Sequence, residues 1–302
     1  MRHYIKENFR IKDLENFSGV KAHTIRIWEK RYNLLSPERT DTNIRYYSHE
    51  SLQKLLNITL LYNNNFKISK IAKLSEQEMK ETCMGLISAN QVKSRILNNF
   101  KIAMMQFDTV LFEKTYQEIL QKTSFKDVFV NYFIPFLNEI GLLWQIDSIN
   151  PSHEHFITAL IKQKIQVQLE QNQMNEIKKD ETFVLFLPDH EIHDLGMLYL
   201  NYELLCAGYR VINLGQCLPI SSLELFRDNE HKTMFIAYCT VAPSMEDIDD
   251  YTEELYNKII KESNSELWIL GNNTIGIDKM KSVPSISIFK SVTEVLEKIH
   301  AA

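Results

Sequence analysis

The residues most able to do chemistry are Glu191, His193 and Gly196, which stand in the spacing Glu-x-His-x-x-Gly. A His ring nitrogen can ligate a metal ion, and a carboxylate two residues earlier can hydrogen-bond the other nitrogen and set its tautomer. The spacing alone is a weak signal, because a single His is more often an ordinary loop residue. The run follows a predicted strand (183–188), and open α/β sheets bind ligands beyond the carboxyl ends of their strands. We therefore predict a metal-ligating role for His193.

A second candidate region lies near the N-terminus, where two short helical patterns meet at Gly19 and the second begins near Ala22. Such a helix-turn-helix places its second helix in the major groove of DNA. Residues 36–48 follow as a predicted β-wing. Polar and basic side chains of these elements are His23, Thr24, Arg26, Lys30, Arg31, Arg39, Asn43, Arg45, Tyr46 and Tyr47. We expect Ile25, Ile27 and Trp28 to supply the apolar faces for the core.

A third candidate group lies in the middle of the chain, where Trp144 is followed after nine residues by Glu154 and His155. The residues 150–152, Asn-Pro-Ser, are typical of a helix start, so the Glu-His pair falls in a first helical turn. Taken alone, this group favours a plainer interpretation. Trp144 would then be a core residue of a helical bundle, and Glu154 and His155 would be a solvated helix start.

The net charge of -5 is divided unevenly along the chain. Residues 1–75 carry 14 Lys and Arg against 7 Asp and Glu, whereas the other 227 residues carry 20 against 32. This division predicts that only the basic N-terminal part meets a polyanion, although chance clustering of solvated charge would give the same counts.

Composition excludes several classes of protein. No apolar run reaches the 18 or more residues that a membrane span needs, and the N-terminus lacks the apolar core of a signal peptide. Four scattered cysteines without a Cys-x-x-Cys pair are typical of reduced thiols, not of a disulfide framework or a zinc site. We expect a cytoplasmic protein with no membrane partner.

The periodicity predicts a multidomain α+β protein with three domains. Residues 1–75 form a winged helix-turn-helix, 76–175 a bundle of four or five helices, and 180–302 a flavodoxin-like or Rossmann-like α/β domain. The last domain has β-rich runs between helical patterns, which predicts a parallel five-stranded sheet with strands at 183–188, 209–214, 233–238, 267–270 and 286–289. The polar stretch 168–182 is expected to be a linker.

The string GVKAHTIRIWEKRYNLLSPERTDTNIRYYSHESLQKL resembles the DNA-binding domain of the MerR family of transcriptional regulators, over roughly residues 8–74. The resemblance implies a double-stranded DNA operator with palindromic or repeated half-sites, bound by a homo-oligomer. It assigns to the recognition helix the residues Thr24, Arg26, Arg31 and Tyr32. It assigns to the wing the residues Arg39, Arg45, Tyr46 and Tyr47. No sustained heptad follows residue 75, so we expect dimer contacts outside the family's usual coiled coil.

The run from Glu191 to Gly196, followed by GYRVINLG, resembles the cobalamin-binding domain of corrinoid methyltransferase proteins, mutases and some regulators. The resemblance implies that His193 is the lower cobalt ligand and that Glu191 or Asp194 orients it. Two later motifs of that family line the slot for the cofactor's nucleotide tail and match Thr240 and Gly271. Asn272 stands where the family has a second Gly.

With both domains present, Trp144, Glu154 and His155 resemble the helical cap of the light-responsive, adenosylcobalamin-dependent MerR-type regulators. The resemblance implies that Trp144 closes over the upper face of adenosylcobalamin, that the Glu-His pair lies near the adenosyl group, and that two domains sandwich the cofactor. Gln145 stands where the photosensors carry a His that captures cobalt after light breaks the Co–C bond; His153 or His155 are the candidates to replace it.

The sequence thus predicts a repressor, dimeric or tetrameric and not an enzyme, whose DNA affinity adenosylcobalamin and light control. Three alternatives stay open. The Asn272 and Gln145 departures favour a regulator with a degenerate pocket, controlled by a protein partner or another ligand. The second is a corrinoid carrier for methyl transfer, which the MerR-type DNA-binding domain at residues 1–75 disfavours. A helix-turn-helix regulator that senses an unrelated small molecule is the third.

Overall fold

A computed structural model describes residues 9–39, 43–86, 89–145, 148–227 and 232–301. The chain divides into two compact units between Ile161 and Lys162, and each is described by itself. Among the described residues, none of the helices combines the length and the apolar character that a bilayer crossing requires.

The first unit begins with a helix-turn-helix and a small hairpin. Its elements are α1 (Ile11–Ser18), α2 (Ala22–Tyr32), the antiparallel strands β1 (Glu38–Arg39) and β2 (Arg45–Tyr46), and α3 (His49–Asn63). Helix α1 ends at Gly19, whose φ of 70° is the left-handed conformation that glycine tolerates best. Helix α3 begins after Ser48, whose side chain accepts a hydrogen bond from the amide of Ser51. The predicted helix-turn-helix and wing are confirmed.

The rest of the first unit is helical. It comprises α4 (Ile68–Ile71), α5 (Glu76–Met84), α6 (Ala89–Gln106), α7 (Thr109–Leu120), α8 (Phe125–Val128), a π-helical turn (Phe129–Phe133), α9 (Ile134–Gln145) and the start of α10 (Pro151–Asn172). Buried aromatic rings fill the centre of this bundle: the Phe100 ring lies 5.2 Å from that of Phe112 and 5.7 Å from that of Phe136. Helix α10 continues five residues into the stretch predicted as linker, because polar Gln and Glu positions still favour a helix.

The second unit, after the end of α10, is an α/β domain. Its elements are β3 (Thr182–Phe186), α11 (Leu195–Cys206), β4 (Arg210–Asn213), β5 (Thr233–Tyr238), α12 (Ile248–Leu255), β6 (Glu266–Leu270), β7 (Ile286–Phe289) and α13 (Val292–Ala301). The strands form one parallel sheet in the order β4-β3-β5-β6-β7, as predicted. The chain leaves β3 toward β4 on one side and returns to β5 on the other. The carboxyl ends of β3 and β5 therefore flank the switch point at which such sheets bind ligands.

The sequence pattern predicts a helix from about Ile192, but helix α11 begins at Leu195. The delay has a local cause, since the amides of Ile192 and His193 both donate to the Glu191 carboxylate, each at 2.9 Å. The segment from Glu191 to Asp194 is thereby held as a loop at the carboxyl end of β3.

A glycine is required directly after β6. Gly271 has a φ of 131°, and a Cβ atom there would overlap the carbonyl oxygen of Cys239 in the loop after β5. Gly215, after β4, also has a positive φ, of 81°, but a Cβ atom there would meet nothing within 4 Å. An alanine at position 215 would thus suffer backbone strain alone, whereas an alanine at position 271 would suffer both strain and steric overlap.

We expect Gly271→Ala to lower the free energy of unfolding of the second unit by about 3 kcal/mol or more, since strain and overlap add. Gly215→Ala carries the strain alone and should cost about 1–2 kcal/mol. Hydrogen exchange of β5 and β6 peptides in the full chain, measured against urea concentration, checks both values. Equal effects of the two variants would contradict the overlap.

Candidate functional site

Glu191 lies at the carboxyl end of β3 and its side chain is fully buried. Its Oε1 atom accepts hydrogen bonds from the amides of Ile192 and His193 and lies 2.6 Å from His193 Nδ1. Its Oε2 atom accepts from three successive amides after β5, those of Thr240, Val241 and Ala242, at 3.0, 2.6 and 2.9 Å. One carboxylate therefore ties the loop after β3 to the loop after β5.

The charge state of Glu191 follows from these contacts. Burial by itself raises the pKa of this carboxyl, but the donating amides of Val241, Ala242 and His193, with the His193 side chain, outweigh burial and lower the pKa to about 2. The side chain is ionised at neutral pH and can only accept hydrogen bonds, so His193 Nδ1 must donate. In neutral His193 the lone pair is then on Nε2, the tautomer in which Nε2 can ligate a metal.

The His193 ring is accessible, and few other metal-ligating side chains lie near it within the described residues. Its side chain is 53% exposed, so solvent or a ligand reaches the ring. Across the part of the chain that the structure describes, no group of three or more His, Cys, Asp and Glu side chains could hold a metal ion. A single exposed imidazole is a donor that fits a metal already held by a macrocycle.

The loop after β5 also contains an unsatisfied polar atom. Thr240 Oγ1 is buried and has no hydrogen-bond partner within the described residues, which is unusual for a buried hydroxyl. Asn273 holds the same loop from the other side, donating to the carbonyls of Val241 and Pro243 at 2.9 and 2.7 Å. Asn272, the residue that departs from the family pattern, is exposed. An unpartnered hydroxyl beside a close approach at Gly271 fits a slot for a polar cofactor tail.

Gly196 has a packing role that the sequence did not indicate. A Cβ atom at this position would overlap the hydroxyl oxygen of Tyr238, the last residue of β5. The Gly of the Glu-x-His-x-x-Gly run thus leaves room for a tyrosine ring at the sheet edge. Tyr238 was missed, although its place at the end of a predicted strand, two residues before Thr240, was a signal for it.

Asp194 does not orient His193, so of the two predicted orienting residues Glu191 has that contact. The Asp194 carboxylate instead accepts hydrogen bonds from Lys162 Nζ at 2.5 Å and Gln216 Nε2 at 2.8 Å. Gln216 Nε2 also lies 2.7 Å from the carbonyl oxygen of Ile192. These contacts fasten the His193 loop to α10 through Lys162 and to the loop after β4 through Gln216. Neither residue was predicted, because both are distant in sequence.

The helical candidates lie in the first unit. Trp144, near the end of α9, is 55% exposed, so the interpretation of Trp144 as a bundle-core residue is wrong. Glu154 and His155 occupy the first turn of α10, with His155 Nδ1 3.5 Å from a Glu154 oxygen and the His155 side chain 74% exposed. His153, the other candidate to replace the missing His, is fully buried and stacks on Phe107. The Gln145 side chain lies outside the described residues.

The recognition helix α2 presents basic side chains to solvent. Arg26 and Arg31 are exposed, and Thr24 and Tyr32 are half-buried. In the hairpin, Arg39 Nη1 donates to Asn43 Oδ1 at 2.5 Å, and the Tyr46 hydroxyl donates to Glu38 at 2.6 Å. Trp28 and Ile25 are buried as predicted, whereas Ile27 is 52% exposed, so its predicted place in the core is wrong.

Tyr47 requires a correction. It was expected to face DNA, but it is 1% exposed, and its backbone pairs with Phe9. Its hydroxyl donates to Glu29 at 3.1 Å, and Arg45 Nε lies 3.6 Å from the other Glu29 oxygen. Tyr47 therefore belongs to the core and Glu29 fixes the wing to α2. An aromatic residue before the Ser48 cap was the missed signal, since residues before a helix cap often pack inward.

Comparisons with known proteins match the N-terminal helix-turn-helix region and most of the helical bundle. Residues 9–78 match the family model of the MerR HTH family regulatory proteins, and residues 96–167 match that of a B12 binding domain. The HTH-type transcriptional repressor CarH of Myxococcus xanthus is 25% identical over 224 residues, which cover 72% of this chain and 74% of CarH. The repressor CarA of the same organism is 24% identical over 219 residues, 71% of this chain and 70% of CarA.

A solved structure shares the fold. The monomethylamine corrinoid protein of Methanosarcina barkeri superposes with a TM-score of 0.52 at 13% identity, covering 69% of this chain and 96% of its own. The chain therefore contains a MerR-type helix-turn-helix domain at residues 9–78 and a B12 binding domain at residues 96–167, and it is similar to the repressors CarH and CarA.

Proposed function

We propose that this protein is a transcriptional repressor whose oligomeric state and DNA affinity are controlled by adenosylcobalamin and reversed by light. The observation that carries the proposal is the Glu191–His193 pair, in which a buried, ionised carboxylate holds Nδ1 of an exposed imidazole and leaves Nε2 for a ligand. The match of residues 96–167 to a B12 binding domain supports cobalamin as the cofactor; those residues include Trp144, Glu154 and His155 but not His193.

Each candidate residue then has a role. His193 Nε2 would hold cobalt, and Glu191 would fix the ring that does so. The Thr240 hydroxyl, which lacks a partner among the described residues, would hold the cofactor's tail where Gly271 permits close approach. Trp144, with Glu154 and His155 of the next helix, would contact the adenosyl group. When bound, adenosylcobalamin supplies a cobalt–carbon bond that visible light breaks.

The same proposal assigns operator contacts to the first unit. Arg26, Arg31, Arg39 and Arg45 hold phosphates or base edges, while the acidic remainder of the chain is repelled by DNA. Repressors of this class read repeated half-sites, so the bound form is a homo-oligomer. Control requires that the cofactor bind the DNA-competent and DNA-incompetent states with different affinity.

Two measurements on the purified full chain test the proposal. The protein is loaded with adenosylcobalamin in the dark and its visible spectrum recorded before and after illumination. Gel-shift titrations with an operator selected from random duplexes then compare the dark and illuminated forms. We expect retained corrinoid and a dark-state DNA affinity at least fivefold higher. No retained corrinoid would overturn cofactor control, and equal affinities in dark and light would overturn only the light response.

We expect His193→Ala to weaken adenosylcobalamin binding by at least tenfold, since the protein loses its one proposed ligand to cobalt. His190→Asn is the matched control, because His190 is an exposed neighbour with a φ of 63° that Asn tolerates. Equilibrium titration followed at the corrin absorbance measures both affinities. Equal losses in the two variants would show that His193 is not the ligand.

Glu191→Gln should lower both stability and cofactor affinity. An amide keeps the size of the side chain, but its NH2 group would face N–H donors, so some of the six donors that Glu191 now satisfies lose their acceptor. We expect a loss of about 3 kcal/mol in unfolding free energy and a 10- to 100-fold loss of corrinoid affinity. Glu246→Gln, at an exposed position of the loop after β5, should change neither quantity. A Glu191→Gln protein with wild-type stability would disprove the assigned network.

Lys162→Met should weaken the coupling between cofactor and DNA while costing under about 1 kcal/mol of stability, because the Lys162–Asp194 pair is partly exposed. Lys162 joins the His193 loop to α10, the helix whose first turn carries Glu154 and His155. The ratio of DNA affinities with and without adenosylcobalamin should therefore move toward one. Lys258→Met, which breaks the exposed pair with Glu254, is the control. An unchanged ratio in Lys162→Met would exclude this contact as a route of coupling.

A further inference from the structure

The exposed side chains of α2 form one continuous stripe. They are spaced three and four residues apart along the helix, which places them on one face, and they are His23, Arg26, Ile27, Lys30 and Arg31. Four of the five can carry positive charge, as expected of a face that meets DNA phosphates. The fifth is an aliphatic residue in the centre of the stripe.

Ile27 is not a core residue that happens to reach the surface. The nearby apolar residues of the helix are buried: Ile25 is fully buried and Trp28 is 5% exposed. Ile27, in contrast, is 52% exposed. Single exposed apolar residues are common on protein surfaces and by themselves mean little. The position of Ile27 adds meaning, because the basic residues on both sides of it would bring its side chain against DNA and exclude water from it.

We infer that Ile27 is a specificity-determining residue that contacts the C5-methyl group of a thymine in the major groove of the operator; this inference rests on the proposed DNA binding by the head. The argument is one of chemical complementarity. Base edges in the major groove present hydrogen-bond donors and acceptors, except for the thymine methyl, which is the apolar group that an aliphatic side chain can bury. Ile27 lies in the second turn of α2, within the N-terminal part of a recognition helix that meets base edges.

The size of the contact can be anticipated. Burying one methyl-sized group contributes about 0.8 kcal/mol, which is about a fourfold change in affinity. Replacing the contacted thymine by deoxyuridine removes that methyl and changes no hydrogen-bonding group of the base. The effect on affinity therefore reports the apolar contact alone.

The test uses the full chain and an operator selected from random-sequence duplexes. Each thymine of that operator is replaced singly by deoxyuridine, and the affinity of each duplex is measured for wild type, Ile27→Ala and Ile44→Ala. Ile44 is the matched control, because it is equally exposed, at 52%, but lies beside the wing strand β2. Ala at position 27 is a better helix former than Ile, so α2 is retained.

We expect at least one position per half-site at which deoxyuridine weakens wild-type binding about fourfold. At that position Ile27→Ala should bind the thymine and deoxyuridine duplexes with equal affinity. Ile44→Ala should lose about as much affinity on deoxyuridine replacement as the wild type does. The inference is overturned if the wild type binds the operator but every deoxyuridine replacement changes the affinity of wild type and Ile27→Ala by the same factor. Failure of the wild type to select any duplex would instead overturn the proposed DNA binding on which the inference rests.

Discussion

The second unit depends on one buried charge, the carboxylate of Glu191. An ionised group removed from water is costly unless hydrogen bonds replace its hydration, and here five backbone amides and an imidazole N–H do so. Three of the amides are consecutive, from Thr240 to Ala242, and form a concave group of N–H donors of the kind that holds anions. The two loops that flank the switch point of the sheet are therefore positioned by the same atoms.

This arrangement leaves one nitrogen of His193 free to accept a ligand. Glu191 holds Nδ1, the ring is exposed, and no group of three or more metal-ligating side chains occurs among the residues described. A single imidazole donor is a poor site for a bare ion, but it completes the coordination of a metal that already has a macrocycle. The match to a B12 binding domain covers residues 96–167, so the ligand role of His193 remains a proposal that rests on the chemistry of its donor set.

Much of the fold could be predicted from local pattern, and the failures share a physical cause. All five strands of the sheet and the helix-turn-helix follow from β-rich runs, turn residues and helix caps, which act over a few residues. Tyr47 was predicted to be exposed and is buried, and Ile27 was predicted to be buried and is exposed. Both predictions failed because burial is decided by packing between elements, not by residue type. The contacts of Glu29 with the wing and of Lys162 with Asp194 span 18 and 32 residues, so no local pattern could reveal them.

The Asp194 contact bears on how a regulator of this kind would pass on its signal. Asp194 follows the proposed cobalt ligand directly and is bound by Lys162, while the first turn of that same helix, α10, carries Glu154 and His155. Residues proposed for the two faces of the cofactor are thus joined by one continuous helix, and a helix transmits displacement because its hydrogen bonds resist bending. Coupling is reciprocal, so any effect of the cofactor on DNA affinity requires an equal effect of DNA on cofactor affinity. Helix α10 carries Lys162 at one point and Glu154 and His155 at another, so it is the element through which we expect that coupling to act.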